Sequence, residues 1–372
     1  MIPARCPFQA ENGAAHPSTD SSTLAERLAP ESREYPQLNW LVFLTRVLDF
    51  WAVSSPELAR VSPRPSGSKK VNLRVNVGYV SLKNPMIAAS GTFGYGVEFA
   101  DIVDLNRLGG IVVKGLSLEP MPGAPPPRMC DTPSGMINAI GLQNIGVRAF
   151  VAEKMPILRR YDTAIIANVF GSTIAEYVSV IRVLEDTEGL AAYELNISCP
   201  NVEKGGAEYS TDPTLTTQVV SAVRAASKRP LWVKLSPVVG NIRVISKAAE
   251  SAGADALVIA NTYPAMCLDV HTRRSRLGST SGGLSGAAIK PITVKLVHEA
   301  SREISTPIVG LGGIESPADV VEYLLVGASA VEVGTAHFVD PRASERLVGG
   351  LEKWCQNQNI FEISNLRGGF HT

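Results

Sequence analysis

The chain has 372 residues, with 35 Lys and Arg balanced by 35 Asp and Glu, and a formal net charge of zero. That length allows two or three domains, or one barrel of about 250 residues with additions, and the 45% hydrophobic share supplies an ordinary core. Neutrality argues against a general nucleic-acid binder, which carries a basic excess; no run of 18 apolar residues offers a transmembrane helix, and no basic-then-apolar leader follows Met1.

Residues 1–70 read as an N-terminal extension. They hold eight of the 25 prolines, one apolar island at Leu38–Val53 and a linker at Ser62–Lys70. The island carries Arg46 and Asp49 and is too short to span a bilayer. It reads first as a short helix packed on the domain or as part of a tail without a fold of its own. An amphipathic helix lying on a membrane or a partner is the sharper alternative. A third reading starts the natural protein near Val71.

From residue 71 to residue 372 short β-branched runs alternate with helical patterns. Strands are expected at Met86–Ala89, Gly110–Lys114, Ala164–Val169, Tyr193–Ile197, Leu231–Leu235, Ala256–Ala260, Ile308–Leu311 and Val331–Val333. Helices are expected at Ile174–Leu184, Leu215–Ser227, Ile242–Ala252, Ile292–Ile304 and Pro317–Val326. This alternation implies parallel strands with crossover helices. Eight units fit an α/β fold of the closed (β/α)₈ barrel type better than an open doubly wound sheet. The open sheet wants a glycine-rich turn after its first strand, and Ser90–Gly94 imitates one weakly.

In such a barrel chemistry sits at the C-terminal strand ends. Those ends carry Ser90, Lys114, Asn168, Asn196, Lys234, Asn261, Gly312-Gly313 and Gly334-Thr335. No carboxylate is among them, which speaks against a glycosidase pair or a hard-metal site. The five histidines show no ligand spacing, so no metal site is expected. Any one Asn or Lys reads as a cap or a solvated group. Together they describe a pocket for an anionic ligand rich in hydrogen-bonding groups. Glycines at the last two strand ends let backbone N–H groups approach a phosphate.

The five cysteines lie at 6, 130, 199, 267 and 355 with no C-x-x-C, so no zinc or iron–sulfur site is encoded. The scattered set reads as reduced thiols of a cytoplasmic protein. Cys199 follows the fourth strand in Asn196-Ile197-Ser198-Cys199-Pro200-Asn201. It is either an inert loop residue or the mouth's best proton acceptor, with its pKa lowered by nearby lysines. The polar segment Val202–Asp212 suits a lid. Cys130 reads as a filler in the Pro-rich loop 122–133, and Cys267 and Cys355 as structural. His271–Arg274 is a basic surface patch, or a docking site.

The chain from about residue 71 to 357 resembles the catalytic subunit of class 1 dihydroorotate dehydrogenases. The resemblance is carried by Ala89-Ser90-Gly91-Thr92, Val113-Lys114-Gly115, Asn138–Leu142, Asn196–Asn201, Gly282–Gly286 and the two glycine strand ends. Gly283–Pro291 and the lid look most like class 1B. The resemblance implies FMN held by Ser90, Lys114, Gly115, Asn168, Asn196, Lys234, Ala260, Gly286, Gly312, Gly313, Gly334 and Thr335. It implies dihydroorotate or orotate held by Lys114, Asn138, Ala139, Ile140, Gly141, Leu142, Asn196, Asn261 and Thr262, with Cys199 as base. It further implies a homodimer within a heterotetramer, completed by a subunit carrying FAD and a [2Fe–2S] cluster that passes electrons to NAD. Fumarate is the alternative acceptor, and the 70-residue extension departs from the class pattern. Three rivals stand beside this reading, one of them a phosphate-binding barrel without flavin, such as an isomerase or lyase. A dihydropyrimidine dehydrogenase-like flavin barrel would bring cysteine-rich segments that this chain lacks. A non-catalytic phosphate-binding barrel would bind its ligand without turning it over.

Overall fold

The computed structural model describes residues 70–198 and 209–371. The expected helix at 38–53, Cys199-Pro200-Asn201 and lid residues 202–208 lie outside the described residues.

Eight parallel strands close into a barrel in sequential order. They are β1 Met86–Ala88, β2 Gly110–Val112, β3 Ala164–Val169, β4 Leu190–Asn196, β5 Leu231–Leu235, β6 Ala256–Ile259, β7 Ile308–Leu311 and β8 Ala330–Val333. All eight fall where the β-branched runs place them. The five expected helices also form: α1 Ile174–Glu185, α2 Pro213–Ala226, α3 Ile242–Ser251, α4 Lys290–Ser301 and α5 Pro317–Leu325. Four of them start at a side-chain cap, with Thr173, Asp212, Asn241 and Ser316 each accepting a first-turn N–H. A sixth, α6 Ala343–Asn357, buries Leu347, Leu351 and Cys355.

Period-two alternation organises the barrel interior. Ile87, Val112, Ile166, Ala192, Trp232, Val258, Val309 and Ala330, one from each strand, form an apolar layer. The antiparallel pair Val75–Val77 and Val80–Leu82 packs Val77, Val80 and Leu82 into that same cluster. Two residues further along each strand, the next inward positions are Ala89, Lys114, Asn168, Glu194, Lys234, Ala260, Leu311 and Glu332. The barrel thus passes from hydrocarbon to charge within one repeat of the pleat. At its outer edge, Asn72 ties the chain before the barrel to residues 361–363, giving its N–H to Phe361 and accepting from the Ile363 N–H.

A second sheet was not expected. Met129–Thr132, Gly135–Asn138, Gly282–Ser285 and Tyr263–Ala265 pair antiparallel as four strands. Cys130 is therefore buried in a strand rather than filling a loop. It is paired sulfur to sulfur with Cys267, 137 residues away. That corrects the reading of both as separate thiols; connectivity cannot be taken from spacing. Their Cα atoms are 7.6 Å apart, wider than the usual span of about 4.4–6.8 Å.

Candidate active site

A cavity of about 340 Å³ opens where the barrel strands end. The expected residues converge on it. Ser90, Lys114, Gly115, Asn168, Asn196 and Lys234 line it from the first five strand ends. Gly286, Gly312, Gly313, Gly334 and Thr335 line the side formed by the later elements. Asn138, Ile140, Gly141, Leu142, Asn261 and Thr262 complete the wall. Two expected residues are not on it: Ala139 packs against Cys130 and Ile137, and Ala260 is fully buried. Both correct the expectation. Alternation turns the Ala139 side chain away from the space that Asn138 and Ile140 face, whereas Ala260 points inward as a small methyl buried in the same layer as Lys234.

Local structure explains the placement. Lys234 sits on β5 two residues beyond Trp232, so it points inward above the apolar layer. Gly313 has φ +65°, a left-handed conformation that glycine adopts freely. The N–H groups of Gly312, Gly313 and Thr335 donate to no backbone carbonyl among the described residues. Gly283 lets the small sheet approach the barrel, since a Cβ there would lie 1.9 Å from Thr262 Oγ1. Asn138 on that sheet donates to the Gly283 carbonyl at 3.2 Å.

The amides are tied into the wall. Asn196 Oδ1 accepts from Ser198 Oγ at 2.8 Å, and Ser198 Oγ accepts from Asn261 Nδ2 at 2.7 Å. This chain fixes the backbone immediately before Cys199, which itself lies outside the described residues.

Charge dominates the floor. Lys234 is 3% exposed in its side chain, and Nζ lies 3.1 Å from Glu332 Oε2 and 3.4 Å from Glu194 Oε1. It also donates to Ser90 Oγ at 3.2 Å. Burial opposes the lysine charge, but the two carboxylates outweigh it and raise its pKa. Burial, reinforced by Glu194, pushes the Glu332 carboxyl well above the usual range. Lys114 is half-buried, and burial with the nearby Arg128 charge lowers its pKa. Reading only the terminal residue of each strand missed Glu194 and Glu332; stepping back by two from Asn196 and Gly334 finds both.

Beside Thr335, the short helix Ala336–Val339 carries buried His337. Its Nε2 is 2.9 Å from Ser344 Oγ, its ring centroid lies 4.7 Å from that of Phe93, and Nδ1 has no partner among the described residues. Burial pulls its pKa down to about 4.

The family model for dihydroorotate dehydrogenase matches residues 72–354. The chain belongs to the dihydroorotate dehydrogenase family. It is 54% identical over 289 residues to a Solibacter usitatus protein that bears the provisional name dihydroorotate dehydrogenase A (fumarate), covering 78% of this chain and 95% of that one. It is 49% identical over 299 residues to the dihydroorotate dehydrogenase B (NAD(+)) catalytic subunit of Pelobacter propionicus, covering 80% and 98%. The subunit of the same name from Thermodesulfovibrio yellowstonii is 46% identical over 298 residues, covering 80% and 98%. A solved dihydroorotate dehydrogenase from Eimeria tenella, in complex with ferulenol, superposes with TM-score 0.70 at 19% identity, covering 91% of this chain and 96% of that one. At that identity the likeness speaks for the barrel fold alone. Among the described residues no helix is long and apolar enough to cross a membrane.

Proposed function

We propose that this dihydroorotate dehydrogenase oxidises dihydroorotate to orotate for pyrimidine synthesis, with FMN held in the barrel mouth. The observation that carries the reading is one cavity presenting two lysines, several amides and uncommitted backbone N–H groups. That donor set fits FMN. Gly312, Gly313, Gly334 and Thr335 would meet its phosphate, and Ser90, Asn168, Asn196 and Lys234 its ring edge. When bound, FMN supplies the hydride acceptor.

The chain's own residues do the rest. Lys114 and the amides of Asn138, Asn196 and Asn261 suit a carboxylate-bearing ring with amide edges. Lys234 puts positive charge where electron density gathers on the acceptor. Cys199 would take the proton from the substrate carbon next to the ring carbonyl, a role suited to a base whose pKa lies near working pH. The Asn196–Ser198–Asn261 bonds orient the chain that delivers it.

The relatives' names divide between fumarate and NAD as acceptor. The class 1B motifs favour NAD, reached through a separate subunit carrying FAD and a [2Fe–2S] cluster. The test is anaerobic addition of dihydroorotate to the yellow purified protein. The flavin band should bleach, and the chain alone should reduce NAD slowly until the partner is added. A colourless protein that takes up no FMN would overturn the reading, and rapid turnover with fumarate alone would reassign the acceptor.

A further inference from the structure

A charged layer lies under the cavity, centred on Lys234. β4 and β8 stand opposite each other in the closed order, so Glu194 and Glu332 reach toward the barrel axis from opposite walls and meet at Lys234. Both are fully buried. Asn168 Nδ2 donates to Glu194 Oε1 at 2.5 Å, the oxygen that also faces Lys234. Glu194 Oε2 and Glu332 Oε1 have no hydrogen-bond donor among the described residues, while the two side chains lie within hydrogen-bond reach of each other. Of the eight inward residues in this layer, four carry ionisable side chains: Lys114, Glu194, Lys234 and Glu332. The others are Ala89, Asn168, Ala260 and Leu311. Among the described residues Lys234 is the cation that touches both buried carboxyl groups.

Two carboxylates in contact inside a barrel do not both stay ionised against one ammonium. A proton on one of them supplies the missing donor, because a carboxylic acid donates where a carboxylate only accepts. We propose that Glu194 and Glu332 share one proton beneath Lys234, making the three groups neutral together, and that Glu332 is a positioning residue that sets the positive potential Lys234 presents to the ligand. The second half rests on the flavin reading; the first does not.

Two measurements test the two halves separately. Infrared spectroscopy of the flavin-free full chain at neutral pH should show a buried carboxylic-acid C=O band that shifts in D₂O. Glu332→Gln or Glu194→Gln should remove it. Absence of such a band from the parent protein overturns the shared proton, whatever the chain binds. For the second half, the two-electron midpoint potential of bound FMN is compared in four proteins. Each single Gln variant mimics the protonated pair and should stay close to the parent potential. The double variant leaves Lys234 unneutralised and should move the potential upward, equivalent to at least about a tenfold tighter hold on the reduced than on the oxidised form. Equal upward steps for each single variant would mean that both carboxylates were ionised, and would overturn the proposal. An unchanged potential in the double variant would sever the pair from the ligand.

Discussion

His337 supplies a pH-dependent weakness close to the proposed phosphate loop. Its ring is 3% exposed, wedged against Phe93 and bonded to Ser344. Its pKa falls to about 4 in the folded chain, against about 6.5 unfolded. The folded value is the lower, so the neutral ring contributes its full stability above about pH 6.5 and loses it as pH falls toward 4. Integrating the proton-binding difference with these two values gives a loss of about 2 kcal/mol by pH 5 and about 3 kcal/mol by pH 4. Other groups also titrate, so the informative quantity is a double difference. Parent and His337→Gln are unfolded by urea at about pH 7.5 and about pH 5. The variant keeps an amide for Ser344 but has nothing to protonate. It should lose about 2 kcal/mol less than the parent across that interval. The same acid interval should release FMN from the parent first, because a charged ring pushes on the turn that holds Thr335. Parallel losses, within about 0.5 kcal/mol, would refute the assignment of a buried neutral imidazole.

Replacement of Cys199 by Ala should slow reduction of the flavin by dihydroorotate by roughly 10² to 10⁴ while FMN stays bound, as stopped-flow absorbance would record. Gly283→Ala should force the small sheet away from Thr262 and, for a displacement near 1 Å, cut kcat/KM for dihydroorotate by about 10², with FMN content unchanged. A chain beginning at Val71 should fold, bind FMN and turn over dihydroorotate as the full chain does; loss of flavin or of solubility would assign the first 70 residues to the core or to an assembly surface.

Much of the fold is legible in the linear chain. Eight β-branched runs separated by helical periods demand parallel strands with crossovers, and both signals are local, set by side chains two or four residues apart. The strand-end residues were equally legible, because the barrel brings every C-terminal end to one mouth; Lys114, Asn168, Asn196 and Lys234 meet there for that reason alone. What needed the tertiary structure involves contact across the barrel or between distant hairpins. Glu194 and Glu332 are 138 residues apart on opposite walls, and only closure sets both against Lys234 and makes one proton serve two carboxyl groups. The small sheet joins residues 129–138 to residues 263–285, and with it come the Cys130–Cys267 pairing and the approach of Gly283 to Thr262. His337 reads as one more helical polar residue until Phe93 and Ser344 enclose it. Sequence patterns report which way a side chain points relative to its own neighbours; depth, desolvation and the partner on the far wall belong to the closed barrel.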